Sequence, residues 1–151
     1  MGQARPQTQP ARETWVLYAL DSGKNKALSP VQLQKALFLL GEVRGADVGH
    51  NYFRFSPYHY GPFDAAIYDE ADRLAARGLV HIESAPGSYR MYRLTEAGAK
   101  AAEAAFRDVP PAALEYLRRA VAWVESLSFD DLIRAIYKAF PKMAENSVFR
   151  D

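Results

Sequence analysis

Three histidines, His50, His59 and His81, and the paired aspartates Asp130-Asp131 are the residues of this chain best suited to ligand or acid-base chemistry. A closed zinc site wants four ligands, and His50 and His59 with the nearby Asp47 fall short in number and lack a regular spacing. Asp130 and Asp131 follow Ser128 in what reads as the first turn of a helix, where the helix dipole already accounts for a carboxylate. With no cysteine, disulfides, thiolate ligands and thiol nucleophiles are excluded. The sequence holds no glycine-rich phosphate loop, no His-Glu-x-x-His pair and no nucleophile elbow. The chemistry expected is therefore non-enzymatic, without metal or cofactor.

What remains is a concentration of rings. Residues 52–63, Tyr-Phe-Arg-Phe-Ser-Pro-Tyr-His-Tyr-Gly-Pro-Phe, hold six of the nineteen Phe, Tyr and Trp residues of the chain. Two prolines and a glycine keep this segment from being a regular helix or a central strand. Phe53 and Phe55 alternate with Tyr52 and Arg54, so the two phenylalanines are expected to point inward from a short strand. Phe63 is expected to staple the start of the next helix. Arg54, Tyr58, His59 and Tyr60 are then left as a contact surface, since tyrosine and arginine concentrate at binding hot spots. An internally packed turn is the competing reading, because aromatic side chains bury readily.

The elements that must hold this segment follow from caps and periodicity. A first helix runs from about Glu13 to Asp21. Ser29, Pro30 and Gln32 make a capping box and open a second helix, apolar almost all round and expected to be buried. Asp64 caps a third, which Gly78 ends. Leu79 to Glu83 and Tyr89 to Leu94 form a hairpin about the Ala-Pro-Gly-Ser turn. Thr95 caps a fourth helix, reaching about Arg107. Ala112 to Leu127 is a fifth, with Leu114, Leu117, Val121 and Val124 as its seam. Ser128 caps a sixth, stopped by Pro141. Met1 to Arg12 reads as a disordered leader. Residues 13–94 have the order of a winged helix-turn-helix, and residues 95–151 add a three-helix extension to the same domain. The expected fold is α+β, mainly α.

Charge argues against nucleic acid as the first partner. The net charge of +1 is spread evenly along the chain. The third helix, where a recognition helix would lie, carries Asp64, Asp69, Glu70 and Asp72 against Arg73 and Arg77. A phosphate backbone repels such a face. Arg90 and Arg93 on the hairpin are the remaining nucleic-acid contacts, for weak binding through a wing. The fifth helix has a second apolar side, Tyr116, Ala120, Trp123 and Leu127, which predicts a homodimer with Trp123 at its interface.

Three signatures stand in order: Leu33-Gln34-Lys35, Tyr60-Gly61-Pro62-Phe63 and Leu94-Thr95-Glu96-Ala97-Gly98. Together they resemble the Panacea (SocA-like) antitoxin superfamily and its winged-helix relatives in bacteria. The resemblance spans about Leu33 to Gly98. It implies a winged-helix fold and a non-enzymatic role, binding and neutralising a toxin protein; the lack of a signal peptide and of a membrane-spanning apolar run separately predicts a cytoplasmic chain. The tail, with Tyr137-Lys138-Ala139-Phe140-Pro141, is similar to the relatives rather than to the antitoxins themselves. A DNA-binding regulator that uses the wing is the alternative, and an enzyme a distant third.

Overall fold

The computed structural model describes residues 10–84 and 90–150. The fold is α+β and mainly helical, with small antiparallel sheets. In chain order the elements are α1 (Arg12–Ser22), β1 (Ala27–Leu28), α2 (Pro30–Val43), α3 (Gly45–Val48), β2 (Ser56–Tyr58), β3 (Gly61–Phe63) and α4 (Ala66–Ala76). Then come β4 (Val80–Ser84), β5 (Arg90–Leu94), α5 (Glu96–Ala104), α6 (Pro111–Glu125) and α7 (Phe129–Ala139), closed by a 3-10 turn at Pro141–Ala144. One sheet has the order β1-β5-β4, and β2 pairs only with β3.

Most of the expected caps form. Ser29 and Gln32 complete a reciprocal capping box, while Thr95 and Ser128 accept from the amides of Gly98 and Asp131. Gly78 adopts φ +76° after α4, the left-handed step of a helix stop. Asp64 supplies the cap of α4 from one residue further out, its Oδ1 accepting from the Ala66 amide at 2.9 Å. β1 escapes the sequence reading because two residues carry no periodicity. They pair with Arg93 and Tyr92 of β5. The helix read to Arg107 ends at Ala104, followed by a 3-10 turn at Phe106–Asp108. Arg12, read as leader, belongs to α1; residues 1–9 and the turn expected between β4 and β5 lie outside the described residues.

α1 is the centre of the core. Trp15 to Leu20 are buried without a break, because α2, α4, α5 and α6 surround this helix instead of covering one face. α6 lies along both α1 and α2, sending Leu114, Leu117, Val121 and Val124 inward. The C-terminal helices are therefore part of the wall of the core. α7 crosses to the β2–β3 hairpin, with Leu132, Ile133 and Ile136 buried.

Candidate functional site

The β2–β3 hairpin is clamped from below by α2. The Gln34 side-chain amide makes two bonds to the backbone of Asp64: its Nε2 donates to the carbonyl and its Oε1 accepts from the amide, each at 3.0 Å. Lys35 Nζ donates to the Pro62 carbonyl at 3.3 Å. Only 3% of Lys35 is exposed, and it makes no ion pair among the described residues. Burial pushes its amine down to about 8, since the charged form is the one that loses hydration. The Asp64 carboxylate closes the open end of the hairpin, Oδ2 accepting from the Arg54 amide at 2.8 Å while Oδ1 holds the start of α4.

At the other end, His59 and Tyr60 make the turn between Tyr58 and Gly61. Among the described residues the positive φ values fall on Asn25, Lys26, Gly49, Gly61 and Gly78, so His59 and Tyr60 turn without one. Gly61, at φ +100°, supplies the left-handed step that lets the chain return, as in a hairpin with a glycine bulge. A Cβ there would also stand 3.3 Å from the Tyr137 ring of α7. The short strand expected from the Phe53/Phe55 alternation does not form, and β2 begins at Ser56 instead.

Two groups of rings meet at this turn. His59 stacks on Tyr58 at 4.2 Å, Tyr58 on Phe63 at 4.8 Å, and Phe63 leans edge-on to Tyr68 of α4 at 5.6 Å. Phe63 thus packs on the first turn of the next helix, as a staple would. On the other side Tyr60 meets Phe129 at 5.2 Å, and Phe129 meets Phe149 at 6.4 Å. Tyr58, Tyr60 and Phe129 remain 47%, 42% and 43% exposed. Tyr58 and Tyr60 flank the turn, and Phe129 reaches it from α7. The chain after α7 runs alongside: the Val148 amide donates to the His59 carbonyl at 2.9 Å, and Asn146 Nδ2 to the Pro57 carbonyl at 3.1 Å.

The structure brings together Tyr58, His59 and Tyr60 and sets Arg54 apart. Arg54 is exposed at the open end, beside a cleft shared with Arg12, His50 and Glu70. Tyr52 corrects the alternation: it is buried, its hydroxyl donating to the Leu37 carbonyl at 2.5 Å. Its ring fills the notch left by Gly41, where a Cβ would stand 2.8 Å away. Phe53 is buried as expected, and Phe55 is half-buried against Phe38.

The charge of α4 also needs correction. Glu70 is buried and pairs with Arg73, and Asp64 is engaged with backbone amides, so neither belongs to an open acidic face. Glu70 offsets Arg73, and Glu13 offsets Arg77 at 2.9 Å, so Asp69 and Asp72 are the carboxylates left on the exposed face of α4. On the other hairpin, Arg93 donates to Glu83 at 2.9 Å and to the Asn25 carbonyl at 3.0 Å. That pairing holds the Glu83 carboxyl below its usual range. Arg90 is exposed next to Tyr92, whose phenol burial pushes up and Arg90 pulls back. His50 and His81 are both exposed, and among the described residues no group of three His, Asp or Glu side chains is placed to hold a metal. Trp123 is 38% exposed on the outer side of α6.

Sequence reasoning missed Lys35, Gln34, Phe129 and Tyr137 as parts of this site. For Lys35 a signal existed: a lone cation in the middle of an otherwise apolar helix. For Phe129 and Tyr137 there was none, since nothing local says that α7 returns to the hairpin. No protein-family model, curated protein or solved structure matches this chain. No helix among the described residues is long and apolar enough to cross a membrane.

Proposed function

We propose that this chain is a non-enzymatic protein-binding module of antitoxin type, whose contact face is the tip of the β2–β3 hairpin. The observation that carries the reading is the pair of exposed rings Tyr58 and Tyr60, with Phe129 of α7 against Tyr60, on a hairpin whose base is locked by Gln34 and Lys35. A rigid aromatic surface loses little conformational entropy when a partner covers it, which favours affinity. The winged-helix reading of residues 13–94 is supported by the helix order and by the strand order β1-β5-β4, with a short first strand alongside a hairpin. Neutralisation of a toxin in the cytoplasm is the specific form that the resemblance implies. The DNA-binding alternative is weaker, because Arg73, Arg77 and Arg93 each already face a carboxylate.

The test is co-purification of the tagged protein with its partner, repeated with Tyr58→Ala/Tyr60→Ala. Each side chain is a little under half exposed and lies outside the core, so the variant should stay folded with its melting temperature lowered by only a few degrees, and should lose the partner by tenfold or more, the scale of a hot-spot pair. Undiminished recovery of the partner would move the contact face elsewhere.

Self-association belongs to the same proposal. Tyr116 and Leu127 are half-buried beside the exposed Trp123, so part of the second apolar side of α6 is left for a symmetric partner. Sedimentation should find a dimer that Trp123→Glu dissociates. A monomer at micromolar concentration rules this interface out.

A further inference from the structure

The outer edge of β2 is already occupied, and by an unusual ligand. Pro57 is the middle residue of β2, and His59 is the first residue of the turn that follows it. Both accept hydrogen bonds from the tail, Pro57 from Asn146 Nδ2 at 3.1 Å and His59 from the Val148 amide at 2.9 Å. The tail is anchored by one side chain. Phe149 is half-buried beside Phe129 at 6.4 Å and Tyr137 at 6.5 Å, with the Arg134 guanidinium 5.6 Å from its ring centre. Ser147 steadies the approach, its hydroxyl oxygen accepting from Tyr137 at 2.6 Å and from the Phe149 amide at 3.0 Å.

The rest of this segment is weakly held. After the 3-10 turn at Pro141–Ala144 it has neither helix nor strand structure, and Glu145, Asn146, Val148 and Arg150 are all exposed. Segments with few buried apolar contacts and exposed backbone bonds open at a small fraction of the global unfolding free energy. One backbone bond to the hairpin, one side-chain bond to β2 and one ring in a side-chain seat resemble the way sheet edges bind extended peptides.

We propose that the outer edge of β2 is a docking groove for an extended segment of a partner protein, and that the chain's own Asn146–Phe149 occupies it in the free protein as a self-ligand. The occupant has a stated chemistry: a backbone N–H directed at the His59 carbonyl, followed by an aromatic residue that takes the seat of Phe149. A partner segment must displace the tail, so the tail sets a threshold for binding. This inference rests on the reading of the hairpin tip as a contact face, and it adds the partner's conformation and the regulation of that face.

The probe is a fluorescein-labelled peptide with the sequence of Met143–Asp151. In the same chain, Val148→Pro removes the donor to His59, and Phe149→Ala empties the ring seat. The double variant should bind the peptide at least tenfold more tightly than the parent, whose groove is filled. A peptide with alanine at the position of Phe149 should not compete. Equal binding by parent and variant overturns the proposal. Amide exchange in the parent gives a measurement that needs no variant. The Val148 amide should exchange at least a hundredfold faster than that of Leu37 in the core of α2, whereas equal protection of the two means the tail does not open and overturns the displacement. If the peptide fails while Tyr58→Ala/Tyr60→Ala still loses the partner, this inference falls and the contact-face reading stands. If the peptide binds and the partner ignores that variant, the contact-face reading falls instead.

Discussion

The β2–β3 hairpin presents Tyr58, His59 and Tyr60 at its turn and makes no ion pair among the described residues, whereas the β4–β5 hairpin carries Arg93, clamped to Glu83 at 2.9 Å. The first has no wider sheet behind it and depends on buried polar groups of α2 for its position. The second is continued by β1 and needs no such clamp. The comparison teaches that exposed charge is readily consumed by a neighbour on the same hairpin, while exposed rings are only partly covered by their own chain. That is why the aromatic hairpin, and not the basic one, is the better candidate for a partner.

The largest expected effect strikes at the clamp. Lys35 has its amine lowered by burial from 10.5 to about 8. Below pH 8 the amine is charged in folded and unfolded chains alike, and the full cost of burying it is present. Between about 8 and 10.5 the unfolded chain binds the extra proton, so stability rises with pH through that window. The rise is worth about 3 kcal/mol at 1.36 kcal/mol per pH unit. Denaturant titrations of the parent and of Lys35→Met should show it as a difference that shrinks from pH 7 to pH 10. Above pH 10 the buried phenols of Tyr18 and Tyr52, both pushed up, begin to work in the opposite direction in both proteins. A difference independent of pH would show that the amine keeps its ordinary affinity for protons.

A smaller effect separates two glycines. Gly61→Val places a branched side chain at φ +100° and against the Tyr137 ring, and should cost about 1–3 kcal/mol. Gly78→Ala meets the same backbone preference at φ +76° but open space, and should cost about 1 kcal/mol. Thermal melts of the two side by side test whether the turn of the aromatic hairpin is the tighter one; equal shifts would show that α7 yields to the new side chain.

The smallest effect belongs to the basic hairpin. Arg93→Ala and Arg90→Ala should each move the melting temperature by less than about 2 °C, as expected of exposed charges. Duplex DNA at low salt should bind weakly, and each substitution should weaken it further without changing its sequence preference. Tight, sequence-selective binding that survives both would reverse the ranking of the two hairpins and put α4 in a groove.

What the sequence determined by itself was punctuation and pattern. The capping box at Ser29, the caps at Thr95 and Ser128 and the stop at Gly78 depend on bonds spanning a few residues, so they are legible in a few letters. The seam of α6 was legible for a related reason, because a helix repeats its inward face at fixed spacing. Tertiary structure alone decided which polar groups went inside. Glu70 and Lys35 look like surface residues by type; Lys35 is buried beneath the β2–β3 hairpin, and Glu70 is buried where α4 faces the start of α1 and residues 50–54. The same holds for Tyr52, drawn inward by the notch at Gly41, and for Arg54, separated from Tyr58 by the length of a strand. The return of α7 and the tail to the turn at His59 joins residues 89 positions apart, as from Pro57 to Asn146. Contacts of that range are fixed by how whole elements pack, and no local pattern of residues encodes them.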